Sequence, residues 1–182
     1  MRIGICGPHG TGKTTLVDEL CARLGDHTPV DEPYVLLEEE GYDIEYPPSR
    51  ADYLQQLSRS LLALRSPATR VVFDRTPLDF LAYLAVAGLD LETEIDIPAV
   101  RSAVATLDLL VIVPITTETE RVLPAPEMPR LRRAVNDTLL DLVYADPLRL
   151  CDALPTVELT GPLASRPDAV LAALPGHRPN SA

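Results

Sequence analysis

Lysine is almost missing from this chain. Lys13 is the only one, and fifteen arginines carry the remaining basic charge. Positive charge as a whole is short: 16 basic residues stand against 27 acidic ones, a formal net charge of −11. That balance excludes a broad nucleic-acid-binding surface, which needs basic groups to displace counterions. It also means that a small anionic substrate would need its own local basic pocket. No apolar run approaches the ~18 residues of a membrane span. Tryptophan is absent, and two phenylalanines and six tyrosines make up the aromatic set, so a ring-stacking site must be built mainly from tyrosine. Cysteine is limited to Cys6, Cys21 and Cys151, an odd and scattered set with no metal-ligand spacing. We read these as small hydrophobes rather than as a disulfide framework. The opening MRIGICGPHG lacks the basic and long apolar regions of a secretory signal, so a cytoplasmic location is expected.

What is present is a regular alternation. RIGIC (2–6), TPVDEP (28–33), RVVFD (70–74), DLLVIVPI (108–115) and TVELTG (156–161) read as short strands. Helical patterns lie between them: Thr14 to Leu24 stopping at Gly25, Ser49 to about Arg65, Thr76-Pro77 to about Gly88, Pro98 to Leu107, Arg130 to Tyr144, a shorter one near Leu148 to Ala153, and Pro167 to Leu174. In the second of these Leu54, Leu57, Leu61 and Leu64 are expected inward. EEEGYDIEYPP is expected to be a loop or a short helix and loop, and LDLETEID an acidic loop. The strands are apolar runs, not alternating patterns, which indicates a parallel sheet covered on both faces. The expected fold is therefore three-layer α/β, with about five parallel strands, helices on both faces and an arginine-bearing lid. At 182 residues one domain is expected, over residues 1–175, with 176–182 as a flexible tail.

Gly7-Pro8-His9-Gly10-Thr11-Gly12-Lys13-Thr14 fits G-x-x-x-x-G-K-[ST] in full, after a strand and before a helix. The glycines allow backbone N–H groups to curl around phosphate oxygens, and the helix N-terminus adds partial positive charge. Lys13 is expected to hold the β- and γ-phosphates of ATP, and the Thr14 hydroxyl to ligate Mg²⁺. Thr15 completes the cofactor-binding set. His9 and Thr11 occupy variable positions, and His9 could touch the γ-phosphate or sit at the loop edge. The lone lysine thus stands where a compact ammonium is wanted and arginine's planar fork would not serve.

Asp74 ends an apolar strand, where ligands bind in open α/β sheets. It could order Mg²⁺ or take a proton from an attacking hydroxyl, and Arg75 beside it could hold a phosphoryl group. Alternatively, Asp74 caps a turn and Arg75 is a surface charge. With this DR-x-x-x-D stretch and the strand order, the chain resembles the P-loop kinases of the nucleoside and nucleotide kinase group, including deoxynucleoside kinases, thymidylate kinases and nicotinamide riboside kinase-like ATPases. The resemblance implies an ATP-dependent kinase. It gives Glu32, in Asp31-Glu32-Pro33, the general-base role, and gives Asp74-Arg75-Thr76 the metal-linked acid and substrate arginine. Gln55 and Gln56 lie on the matching substrate-side helix, Gln56 fitting slightly better, and Asp79 matches a further acceptor-side aspartate. Tyr34, Tyr42, Tyr46 and Tyr53 fall in the acceptor region, Tyr53 being taken as a substrate contact; all four could equally be packing residues.

Arg130, Arg132 and Arg133 follow the fourth strand, where such kinases carry a lid over the phosphates, with Arg121 a further candidate and Pro124, Pro126 and Pro129 stiffening the approach. LTGPLASR (159–166) occupies the place of the loop near adenine in look-alike kinases. The expected activity is Mg²⁺–ATP-dependent phosphotransfer to a small acceptor, a nucleoside or nucleotide, with no nucleic-acid or membrane partner and a possible homodimer through residues 50–90. Two alternatives stand beside it: a nucleotide-dependent regulatory switch with no small acceptor, and a kinase of a secondary metabolite.

Overall fold

A computed structural model describes residues 1–124 and 127–174. The expected tail, 176–182, and Pro126 lie outside the described residues. The elements run β1 (Arg2–Cys6), α1 (Lys13–Leu24), β2 (Thr28–Val30), α2 (Pro33–Glu39), α3 (Arg50–Leu64), β3 (Val71–Asp74), α4 (Pro77–Val86) and α5 (Leu91–Glu94). They continue with α6 (Ile97–Val104), β4 (Leu109–Ile112), α7 (Thr117–Val122), α8 (Pro129–Tyr144), β5 (Thr156–Glu158) and α9 (Arg166–Ala173).

All five strands are parallel, in the order β2-β3-β1-β4-β5. Successive side chains of a strand point to opposite faces, so a strand buried on both sides must be apolar throughout. Ile3 and Ile5 of β1, Val72 of β3 and Leu109 and Val111 of β4 pack in one cluster with Leu16, Val17 and Leu20 of α1 and Val170 of α9. Cys6, Phe73, Leu110 and Ile112 pack in the other with α3, α4, α6 and α8. This is the P-loop kinase-like three-layer fold. The register pairs Ile5 of β1 with Asp74 of β3, which brings the Asp74 strand end beside the loop that leaves β1.

Several local expectations are corrected. Leu54 is exposed, because the buried stripe of α3 is set by Tyr53, Gln56, Leu57, Ser60 and Leu64. No helix forms at 148–153. There the Asp146 carboxylate accepts from the N–H groups of Leu150 (2.6 Å) and Cys151 (3.0 Å), and Arg101 donates to the carbonyls of Leu148 and Arg149, both at 2.8 Å. Side chains thus satisfy the backbone that a helix would otherwise have to satisfy. The acidic stretch after Gly88 contains α5, capped by Asp90. Helix α7, unexpected from sequence, starts at a Thr116–Thr119 capping box.

Gly4 sits inside β1 because the sheet face above it is filled. A Cβ there would lie 2.8 Å from both Leu107 Cδ1 and Thr76 Cγ2. We expect Gly4→Ala to destabilise the protein by about 1–3 kcal/mol through overpacking. Gly25→Ala, with φ +69 but open space around it, should cost about 1–2 kcal/mol from backbone strain alone. Urea unfolding of both variants checks this; a Gly4→Ala loss below about 0.5 kcal/mol would contradict tight packing beneath Thr76.

Candidate active site

The carbonyls of the loop from Gly7 to Thr11 are held by cations. Arg75 Nη1 donates to the Gly7 carbonyl (3.4 Å), Lys13 Nζ to that of Pro8 (3.0 Å), and Arg132 Nε to that of His9 (2.8 Å). Arg132 Nη2 also donates to Gly10 (3.3 Å), and Arg166 Nη1 to Thr11 (2.7 Å). The Thr11 hydroxyl adds a bond to Pro8 at 2.9 Å. With the carbonyls drawn outward, the N–H groups of residues 9 to 12 have no acceptor among the described residues. Gly7, at φ +152, cannot be replaced: a Cβ would lie 2.2 Å from the Val113 carbonyl oxygen. Gly10 and Gly12 also take left-handed φ values. The resulting concave row of donors at the start of α1 is an anion cradle.

Lys13 is buried inside that cradle and forms no ion pair among the described residues. Burial is the main cause of a pKa drawn down to about 8, with Arg75 adding to it and Asp79, Asp74 and Glu32 opposing. Thr14 Oγ1 donates to Asp74 Oδ2 at 2.6 Å, while Asp74 Oδ1 is buried without a hydrogen-bond partner. Burial raises the Asp74 pKa against the pull of Lys13 and Thr14. A hydroxyl and a half-satisfied carboxylate side by side fit Mg²⁺, which takes one or two protein oxygens and completes its shell with water and phosphate.

Arg75 follows β3 in the left-handed region, at φ 73. This strained conformation turns its guanidinium back over the site. Nε lies 2.6 Å from Glu32 Oε2, Nη1 3.5 Å from Asp79 Oδ1, and the guanidinium carbon 5.8 Å above the Tyr83 ring. Glu32 sits just ahead of Pro33 at the start of α2. Burial pushes its pKa up, but the adjacent Arg75 charge and hydrogen bond outweigh this and hold it below the ordinary carboxylate range.

Asp79 is placed differently from the expectation of a substrate contact. Its oxygens accept from Gly7 N–H (2.9 Å), Thr76 N–H (2.8 Å) and the Thr76 hydroxyl (3.2 Å), and it is buried below the loop. It anchors the phosphate loop to α4. Gln56 is buried and borders a cleft of about 300 Å³, whereas Gln55 is exposed. That cleft is also lined by His9, Glu32, Tyr34, Glu45, Tyr46, Tyr53, Arg75, Phe80, Tyr83, Glu127 and Met128. Five of the eight aromatic residues therefore gather here, with Tyr53 and Tyr83 stacked at 4.8 Å. Phe80 and Tyr83 escaped the sequence reading. Both lie on α4, Phe80 directly after Asp79 and Tyr83 one turn beyond it, and the one-turn spacing could have found Tyr83. Tyr42 instead bonds Asp52 at 3.1 Å.

His9 joins three elements. Its Nε2 faces the Glu127 carbonyl at 2.7 Å, which can only accept, so Nε2 carries a proton, and Nδ1 shares a hydrogen bond with the Tyr83 hydroxyl at 2.9 Å. Burial chiefly lowers its pKa, assisted by the nearby Arg75, Lys13 and Arg132 charges and opposed by the Glu127 bond. Of the expected lid arginines, Arg132 is buried and committed to the loop and to Glu120, while Arg130 and Arg133 are exposed. Arg121 pairs with Glu118. Arg166, not singled out from sequence as a site residue, is buried, with Nε and Nη2 unpartnered. It borders a smaller cavity of about 140 Å³ with Gly12, Thr15, Leu163 and Ala164.

Replacing Asp79 by alanine should strand the buried Gly7 and Thr76 donors and lower stability by about 2–4 kcal/mol. Nucleotide affinity should fall with it, because the loop loses its anchor. Chemical unfolding together with calorimetric titration of an ATP analogue reads both; stability unchanged within about 0.5 kcal/mol would contradict the anchoring role.

Curated proteins give no sequence match. Solved structures share the fold, among them three kinase-fold proteins. A NadR protein in complex with NR aligns at TM-score 0.64 and 23% identity, over 94% of this chain and 51% of that one, so the chain spans about half the length of that protein. Deoxyadenosine kinase from M. mycoides with bound dATP aligns at TM-score 0.63 and 17% identity over 94% of this chain and 98% of the other. Shikimate kinase from Acinetobacter baumannii in complex with shikimate aligns at 0.58 and 19% identity over 93% and 90%. Residues 2–154 match the family described as an AAA domain, so the chain, with its phosphate loop, Thr14–Asp74 pair and kinase-like sheet order, belongs to that family.

Proposed function

We propose that this protein is a Mg²⁺–ATP-dependent phosphotransferase acting on a small acceptor of the nucleoside or nucleotide class. The observation that carries this reading is the buried Lys13 ammonium, bonded only to a neutral carbonyl inside a loop of unpartnered N–H groups. Such a charge asks for an anion. A fold neighbour named deoxyadenosine kinase and one solved in complex with NR support the acceptor class, as does the tyrosine-lined cleft beyond the loop.

On this reading the triphosphate lies in the cradle with its β- and γ-phosphates at Lys13, and the base extends toward the cavity at Thr15 and Arg166. Thr14 and Asp74 would hold Mg²⁺, which when bound neutralises charge on the β- and γ-phosphate oxygens. The acceptor occupies the cleft of Glu32, Tyr53, Gln56 and Arg75. Glu32 takes the proton of an acceptor hydroxyl. The acceptor oxygen bonds to the γ-phosphorus, the bond from that phosphorus to the bridging oxygen breaks, and ADP leaves with the electron pair. Arg75 orients Glu32 and offers positive charge to the moving phosphoryl group. Positioning and charge supply most of the rate in such transfers.

A nucleotide-dependent switch is the second reading. One contact favours it: Glu127 accepts from His9 through its carbonyl and from the Tyr46 hydroxyl through its carboxylate, so a change at the phosphate loop reaches an exposed surface. Acceptor-dependent ADP release separates the two readings.

Lys13→Ala should keep the fold and lose phosphotransfer; turnover equal to that of the unaltered protein would sink the mechanism. Glu32→Gln should lower kcat by roughly 10²–10⁴ while leaving ATP affinity within a few-fold. Steady-state kinetics paired with ATP titration checks both variants.

A further inference from the structure

Charge is divided unevenly across the site. On the donor side, Lys13 lies in the loop, and Arg132 and Arg166 grip its carbonyls from behind. On the acceptor side, the cleft is bordered by three carboxylates, Glu32, Glu45 and Glu127, and by one permanent cation, Arg75. That cation is already engaged: its Nε is bonded to Glu32, and its Nη1 lies near Asp79 and the Gly7 carbonyl. His9, the other basic group at the cleft, is engaged through both ring nitrogens, with the Tyr83 hydroxyl and the Glu127 carbonyl, and burial holds its pKa below the ordinary value. Among the described residues no second arginine or lysine borders the cleft to pair with a bound phosphate monoester. Glu45 and Glu127 are exposed at its mouth. The remaining lining is aromatic and neutral: the stacked Tyr53–Tyr83 pair, Phe80, Tyr34, Tyr46 and the Gln56 amide.

We propose that this cleft selects an unphosphorylated acceptor, a neutral or cationic ring-bearing alcohol of nucleoside size, and that Glu32, Glu45 and Glu127 turn away the phosphorylated form of the same molecule. The proposal rests on the kinase reading above and narrows it, since kinases of this fold group include both nucleoside and nucleotide acceptors. The physical reason is additive. A monophosphate brings ~1.5 to 2 negative charges at neutral pH. It would meet a cleft whose three carboxylates outnumber its one guanidinium, which is already paired with Glu32. The transferred group therefore goes to a hydroxyl oxygen, whose proton Glu32 can accept, and not to an existing phosphate, which has no proton that must be removed. Gln56 and the tyrosine hydroxyls supply neutral hydrogen-bonding partners for the edge of a ring whose faces lie against tyrosine.

The test uses the full chain with Mg²⁺ and ATP. Nucleosides, nicotinamide riboside among them, are compared with their matching 5′-monophosphates as acceptors, reading kcat/KM for ADP release. Binding of each is also measured by calorimetry with a non-hydrolysable ATP analogue saturating the donor side, so that monophosphates do not occupy the phosphate loop. We expect at least about a tenfold preference for the unphosphorylated member of a pair, shrinking as salt is raised. A Glu45→Gln, Glu127→Gln double variant, altered only at the exposed mouth, should cut that preference several-fold. Monophosphates that bind and react as well as nucleosides would overturn the proposal and leave the kinase reading standing. An unchanged preference in the double variant would overturn the role of the mouth carboxylates. If neither pool binds or stimulates ADP release while the ATP analogue still binds, the kinase reading falls and the proposal with it.

Discussion

Five successive carbonyls, from Gly7 to Thr11, each accept a hydrogen bond from a cationic side chain. The rest of the site depends on this arrangement. Arg75 comes from the end of β3, Lys13 from α1, Arg132 from α8 and Arg166 from α9. Three distant stretches of chain thus converge on one loop and hold its carbonyls, while Lys13, at the adjacent start of α1, bonds the Pro8 carbonyl from within the cradle. What remains inside is a row of N–H donors and one buried ammonium. Charged donors make the stronger hydrogen bonds, and partly buried ones are weakly screened, so the loop is shaped before any nucleotide arrives. Asp79 completes the arrangement from below by accepting the Gly7 N–H and the cap of α4 together.

The same arrangement separates two chemical environments by the width of a loop. Behind and within the loop the charges are positive. Across from it, Glu32 and the mouth carboxylates make the cleft negative, with Arg75 as the hinge between them. Arg75 belongs to both sides: it braces the Gly7 carbonyl and fixes Glu32 while its face lies over Tyr83. Its left-handed backbone is the strain accepted to aim one side chain at three partners. A chain so poor in basic residues spends its cations on backbone geometry as well as on ligands.

Some of this could be read from residue order and some could not. The phosphate loop and Asp74 at a strand end follow from local spacing, and the register of β1 with β3 puts the two side by side, whereas Glu32 and Gln56 are pointed to by the resemblance to nucleoside and nucleotide kinases. The aromatic shortage misled in one respect. Few rings are present, yet five of the eight meet in one cleft, because α3 and α4 face each other and stack Tyr53 on Tyr83. Leu54 fails as a core residue because the stripe of α3 also buries polar Gln56 and Ser60, which a hydrophobic count passes over.

The sequence by itself determined the layer order and the loop, because both are periodic or contiguous: apolar strands, helical spacing and eight residues in a row. Tertiary structure alone decided what each arginine does. Arg130, Arg132 and Arg133 are neighbours in sequence, yet only Arg132 turns inward, since α8 buries the face that also carries Val135, Asn136 and Leu139. Arg166 lies 155 residues from the Thr11 carbonyl it holds. No local pattern marks such a pairing. It exists only because α9 packs beside α1 on one face of the sheet and delivers a guanidinium to a backbone oxygen that has no other partner among the described residues.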